Sequence, residues 1–147
     1  MKLNNTTIAL SFLALALGAC ATGEKLSTQS LAFHSVPAGK ARIAIYRTKV
    51  IGAAVQPSVV VADQETGVCK PKGVFFVDVA PGKHVISATT EATDYVAVNA
   101  RAGQISYVEC SIDSGIVIGR PDLEIVDKII AEQVIGELAL TGKYNVE

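Results

Sequence analysis

The sequence predicts an all-β fold, mainly an antiparallel sandwich, closed by one C-terminal amphipathic helix. Three observations carry this. Short runs rich in Val, Ile, Phe, Tyr and Thr follow one another from Ala41 onward, separated by turn residues. The joint Ala80-Pro81-Gly82-Lys83 has the Pro and Gly that a tight turn uses. From Leu123 the apolar residues change to a spacing of about four.

Residues 1–19 come first and belong to no fold. A short polar start with a single cation, Lys2, leads into an apolar stretch from Ile8 to Leu17 and then the small pair Gly18-Ala19. That layout is a secretory signal peptide, and the apolar run is well short of the twenty or so residues a membrane-spanning helix needs. Residues 20–40, starting ATGEK after Cys20, are small and polar without a sustained period and read as a flexible tether. Leu31-Ala32-Phe33 is their one apolar island, able to dock on the domain or to begin a strand.

Residues 41–147 read as the domain itself. The runs ARIAIYR, PSVVVAD, GVFFVDV, HVISATT, YVAVNA and QISYVECSI alternate with period two, as in a sandwich of the immunoglobulin/transthyretin-like type. In GVFFVDV, Val74, Phe76 and Asp78 oppose the more apolar set Phe75, Val77 and Val79. Ala80–Lys83 is expected to close a tight hairpin with positive φ at Gly82, and Arg101-Ala102-Gly103-Gln104 a second one. Beyond Leu123, the stripe Val126, Ile130, Val134 and Leu138, with Ile129 beside it, predicts a helix packed on the sheet or presented to a partner. Asp122 or Asp127 would cap it, Pro121 sits where a first turn or a strand end would tolerate it, and Thr141-Gly142-Lys143 would end it.

Without residues 1–19 the chain keeps 12 of its 13 basic residues against 14 acidic ones, a formal charge of −2. This balance and the 5% aromatic content exclude the clustered basic face of a nucleic-acid binder. The two histidines, His34 in the tether and His84 beside a turn, have no metal-ligand spacing. There is no Gly-x-Ser-x-Gly elbow and no Gly-rich phosphate loop. No metal and no cofactor are expected. Asp78 and Glu109 read as exposed strand positions rather than a paired acid and base, and a nucleophilic mechanism would need Cys69 or Cys110 beside His84. Cys69 and Cys110 can form a disulfide in an oxidising compartment if their Cα atoms come within about 7 Å. The alternative is two separate buried thiols.

The stretch Leu17-Gly18-Ala19-Cys20 resembles the lipobox of bacterial lipoproteins, which implies that Cys20 becomes a lipidated N-terminus. By resemblance to enterobacterial sorting, Ala21 in place of Asp implies the outer membrane, facing the periplasm. ARIAIYR, GVFFVDVAPGKHVISA and ARAGQISYVECSI together resemble the bacterial lipoprotein family with domain of unknown function 2846, over roughly residues 40–140. The strand–PGKH–strand element is also similar to the peptidase-associated β-sandwich modules known from a Pro-Glu-Gly-Ala motif, which this chain lacks. These resemblances imply fold and location and bring no catalytic residue. The expected function is therefore a lipid-anchored, periplasm-facing binding or envelope-structural module without enzymatic activity. Its partners are the membrane and an envelope protein or peptidoglycan. A carbohydrate or peptidoglycan receptor would need an aromatic platform, for which Tyr46, Tyr95 and Tyr107 are the candidates. A small hydrolase using His84 is the other alternative.

Overall fold

The computed structural model describes residues 23–26 and 35–142. Residues 1–19, Cys20, Leu31-Ala32-Phe33, His34 and Lys143 lie outside the described residues. Among the described residues nine strands and one helix follow in chain order: β1 (Ala41–Arg47), β2 (Ser58–Val61), β3 (Gln64–Val68), β4 (Gly73–Val79), β5 (Gly82–Thr89), β6 (Thr93–Ala100), β7 (Ile105–Asp113), β8 (Arg120–Val126), α1 (Lys128–Ile135) and β9 (Ala139–Leu140). They make a five-stranded sheet, β8-β7-β1-β4-β9, and a four-stranded sheet, β3-β2-β5-β6. Most pairings are antiparallel; β1–β7 and β4–β9 are parallel.

The period-two pattern places the core. Ile43, Ile45, Phe75, Val108, Cys110 and Leu123 from the larger sheet meet Val59, Val61, Ile86, Ala88 and Val98 from the smaller. Every residue of β1 is buried because the larger sheet is covered on its outer side too. There Ala44, Tyr46, Val74 and Tyr107 pack under Ala131, Ile135, Leu138 and Leu26. A central strand with two covered faces must bury its polar residues as well, and Arg42 and Arg47 are both enclosed.

Both expected hairpins are corners instead. β4 pairs with β1 and β5 with β2 and β6, so Ala80–Lys83 carries the chain from one sheet to the other. Gly82 does take a positive φ, +140°, with open space where a Cβ would sit. Arg101–Gln104 likewise links β6 to β7 across the sandwich; Gln104 N–H donates to Arg101 O at 3.0 Å and Gly103 has φ +71°. The hairpins that do form are β2–β3, β5–β6 and β7–β8. The two-residue turn of the first, Ala62-Asp63, has φ of 49° and 65°, the positive pair of a type I′ turn.

The helix is shorter than the stripe predicts. Leu123 to Val126 extend as the end of β8, an edge strand that tolerates Pro121, which has no N–H to donate, because its outer side pairs with no further strand. Asp127 caps α1 by accepting from Ile129 N–H at 2.8 Å, while Asp122 stays on β8. Gly136 closes the helix, ahead of Thr141-Gly142. Ala131 and Ile135 form its buried side, and Ile129, Ile130 and Val134 face outward. The four-residue spacing had joined a strand, a helix and a turn into one apparent face.

The tether expectation also changes at one point. Lys25 bridges to Ala139, Leu26 N–H donates to Leu138 O at 2.9 Å, and the Leu26 side chain is buried. The chain is therefore fastened to the β9 edge only a few residues beyond Cys20.

Candidate functional site

At one end of the sandwich, two apolar loops stand side by side. Tyr46 pairs with Glu109, so β7 runs three residues, about 10 Å, past the level of Arg47 before its turn begins. That turn, Ser114–Gly119, holds Ile116, Val117 and Ile118, which are 85%, 85% and 57% exposed. The loop after β1 adds Ile51 at 79% and Val50 at 45%. Between the loops lies an open cleft of about 510 Å³ lined by Lys49, Ile51, Ile112, Val117 and Ile118. Single exposed aliphatics are ordinary; five gathered at one end make this the candidate surface of the fold.

Two ionised side chains fix these loops. Glu91, in the β5–β6 turn, accepts from Ile116 N–H at 2.7 Å, Val117 N–H at 2.8 Å and Ile118 N–H at 3.2 Å, with Arg120 Nε 3.5 Å away. Those backbone donors, Val117 foremost, hold its carboxyl below the ordinary range. Glycine makes this approach possible: a Cβ on Gly115 would lie 2.0 Å from Glu91 Oε1. Gly119, at φ +116°, returns the chain under Thr90, whose hydroxyl donates to its carbonyl at 2.5 Å. With its amides turned inward onto one carboxylate, the loop turns its side chains outward.

Arg47 does the converse for the other loop. Its guanidinium is fully buried and donates only to carbonyls: Lys49 O at 3.2 Å, Val55 O at 2.9 Å, Cys69 O at 3.2 Å and Ile51 O at 2.7 Å. Burial lowers its pKa, yet a guanidinium stays charged in a protein. Beside it, Cys69 and Cys110 are joined by a disulfide with Cα atoms 6.2 Å apart. The bond joins the two sheets rather than neighbouring strands: Cys69 follows β3 in the small sheet and Cys110 lies in β7 of the large one, so it crosses the core.

The other sequence candidates lie apart. His84 Nε2 is 2.7 Å from Ala80 O at the sheet-to-sheet corner, and neither disulfide sulfur offers it a free thiol. Asp78 takes a two-point contact from Arg42, with Nε to Oδ1 at 2.6 Å and Nη2 to Oδ2 at 2.8 Å. Glu109, on β7 rather than β4, accepts from Thr48 just past β1, so the two carboxylates are no pair. Of the three candidate tyrosines, Tyr46 and Tyr107 are buried, which leaves Tyr95, 65% exposed, for an aromatic platform among the described residues. Burial together with Glu109 and Glu124 pushes the Tyr46 hydroxyl up to about 12. Tyr107 donates to Glu132 Oε1 at 2.8 Å and, raised by burial and that carboxylate, pins α1 to the sheet. Among the described residues no cluster of His, Cys, Asp or Glu could hold a metal ion, and no helix is long and apolar enough to cross a membrane.

The clamp gives the loop an acid limit. Because the Glu91 pKa is lowered on folding, its stabilisation is complete above the ordinary carboxylate range and is lost as pH falls through the lowered folded value. Amide exchange at Ile116, Val117 and Ile118 should therefore be slow at neutral pH relative to intrinsic rates. Glu91→Ala is expected to remove that protection at pH 7 while leaving the global unfolding midpoint nearly unchanged. Retained protection in the variant would show that the carboxylate does not hold the loop.

The apolar loop was missed in the sequence, although Gly115 and Gly119 bracket Ile116-Val117-Ile118, a pattern that offers an aliphatic tip on a glycine hinge. The Arg47 cage left no such signal, since nothing local tells a buried arginine from a solvated one.

No solved structure matches the chain. An uncharacterized protein of Haemophilus influenzae is 26% identical over 136 residues, spanning 89% of this chain and 81% of that one. The family model described as "Protein of unknown function (DUF2846)" matches residues 37–121, from the approach to β1 into β8, a span containing Arg47, the disulfide, Glu91 and the apolar loop; the chain belongs to this family.

Proposed function

We propose that this chain is a lipoprotein, anchored through Cys20 and facing the periplasm, that acts as a binding or bracing module of the envelope and does no chemistry of its own. The observation that carries the reading is the ordered LALGAC, with its apolar run and abrupt polar boundary. One acyl chain gives marginal, reversible membrane binding, and the lipobox resemblance implies more than one. Support also comes from the short span between Cys20 and Gly23: three residues reach at most about 11 Å, so a lipid on Cys20 would keep the β9 edge close to the bilayer. Ala21 after the cysteine favours the outer membrane. A receptor for carbohydrate or peptidoglycan is less well supported, because Tyr46 and Tyr107 are buried.

The test is substitution at the anchor. Cys20→Ser is expected to abolish acyl labelling and to move the protein into the fraction released by salt alone. Release of unaltered protein by salt, without detergent, would overturn the reading.

A further inference from the structure

We infer that the seam between β6 and β8 is a docking groove for a short, extended peptide ending in a free carboxylate, which adds as a strand against the open edge of β8 and sets its carboxylate at Arg101. This goes beyond the anchor proposed above and does not depend on it.

The backbone comes first. β8 is the last strand of the larger sheet and β6 the last of the smaller, and the two lie side by side without a ladder between them. A side chain closes one part of this seam, where Leu123 N–H donates to Asp94 Oδ2 at 2.7 Å. An amide that bonds outward is not used by β7, so Cys110 and Leu123 form a non-hydrogen-bonded pair of the β7–β8 ladder. Such pairs alternate along an antiparallel ladder, and Val108–Ile125 is the next of the same kind. The N–H and C=O of Ile125 therefore leave the sheet edge toward β6. There, at the end of the sandwich opposite the apolar loops, the seam widens into an open cleft of about 520 Å³ lined by Asn99, Arg101, Gln104, Ile125, Asp127 and Lys128. The stretch from Leu123 to Val126 gives it about 10 Å of strand, the span of a tail of roughly three residues.

The walls select the occupant. An edge N–H and C=O that no ladder uses receive an extended backbone, and Ile125, half exposed, offers that backbone an apolar contact together with Ile105. The Arg101 guanidinium has no hydrogen bond or ion pair among the described residues, and its fork matches a carboxylate. Two more cations stand at this corner: Lys40, whose carbonyl accepts from Gly103 N–H at 2.8 Å, and Lys83, which pairs with Asn99. The carboxylates at this end are already engaged. Asp127 accepts from Ile129 N–H, Glu132 accepts from Tyr107 and lies 3.8 Å from Lys128 Nζ, and Asp78 is held by Arg42. An incoming carboxylate meets Arg101 without displacing any of them.

The probes are a library of tetrapeptides immobilised through their N-termini and randomised at the last three positions, with free carboxylates, and the same library amidated at the C-terminus. The full chain purified in detergent would be applied to both. The expected result is capture by a subset of the free-carboxylate peptides, with binding at least about tenfold weaker for their amidated counterparts. For a captured peptide, hydrogen exchange at the Ile125 amide should slow on binding. Arg101→Gln, at an exposed position, should remove the preference for carboxylate over amide. Ile125→Pro deletes an N–H that the fold does not use and should weaken binding at least about tenfold, where Ile125→Val leaves it nearly unchanged; matching melting midpoints show that the variants fold. Capture by neither library overturns the inference. So does equal capture by both, or binding that leaves exchange at Ile125 unaltered, which would place the peptide elsewhere on the surface.

Discussion

Arg47→Met is expected to destabilise the domain by about 3–5 kcal/mol, the range for removing one side of a buried charged network. Methionine fills much of the same volume, so the loss isolates the hydrogen bonds rather than a cavity. Four carbonyls, of Lys49, Ile51, Val55 and Cys69, lose their donors together. Each buried unpaired polar group costs about 1–3 kcal/mol, and water reaching the loop side offsets part of that total. Arg47→Lys should recover only part of the loss, because three ammonium donors cannot reproduce the fork that reaches carbonyls from both a loop and a strand end. Urea unfolding followed by far-ultraviolet dichroism gives the measurement. A loss under about 1 kcal/mol for Arg47→Met would mean that the loop after β1 does not depend on the guanidinium.

Reduction of the Cys69–Cys110 bond is expected to cost about 4 kcal/mol, the chain-entropy value for a loop of this size. The bond joins residues 41 apart and spans the two sheets through a buried position. Its loss lets the segment after β3 move relative to β7. Denaturant unfolding of oxidised protein and of a Cys69→Ala/Cys110→Ala variant measures this without leaving reductant in the sample. Unchanged midpoints would show that packing alone holds the sheets together. Cys69 O also accepts from Arg47, so the two effects share a partner. Their sum should exceed the loss in the combined variant.

Much of the sandwich was legible from alternation alone. ARIAIYR, GVFFVDV and QISYVECSI each lie on the strands their period predicts, as β1, β4 and β7. Connectivity was harder to read. Pro81-Gly82 sets local turn chemistry, but nothing in those two residues says whether the next strand pairs with the last or crosses to the other sheet. β3 carries Thr66-Gly67 and little apolar content, and Phe75 packs where a Gly67 Cβ would go, so its strand character comes from its neighbours. At the C-terminal end, tertiary pairing with β7 overrode the four-residue spacing and drew Leu123–Val126 into β8. The candidate site was the least legible part. Its clamp joins Glu91 to amides 25 to 27 residues further along, contacts that exist only after the sheets close.

The central claim is that a lipid on Cys20 holds this sandwich at a membrane, and intact mass measurement of the protein purified from the envelope in detergent tests it most directly. A chain beginning at Cys20 and carrying the mass of at least two acyl chains is the result expected. A chain with unmodified Cys20, or one cleaved at another residue, would contradict it.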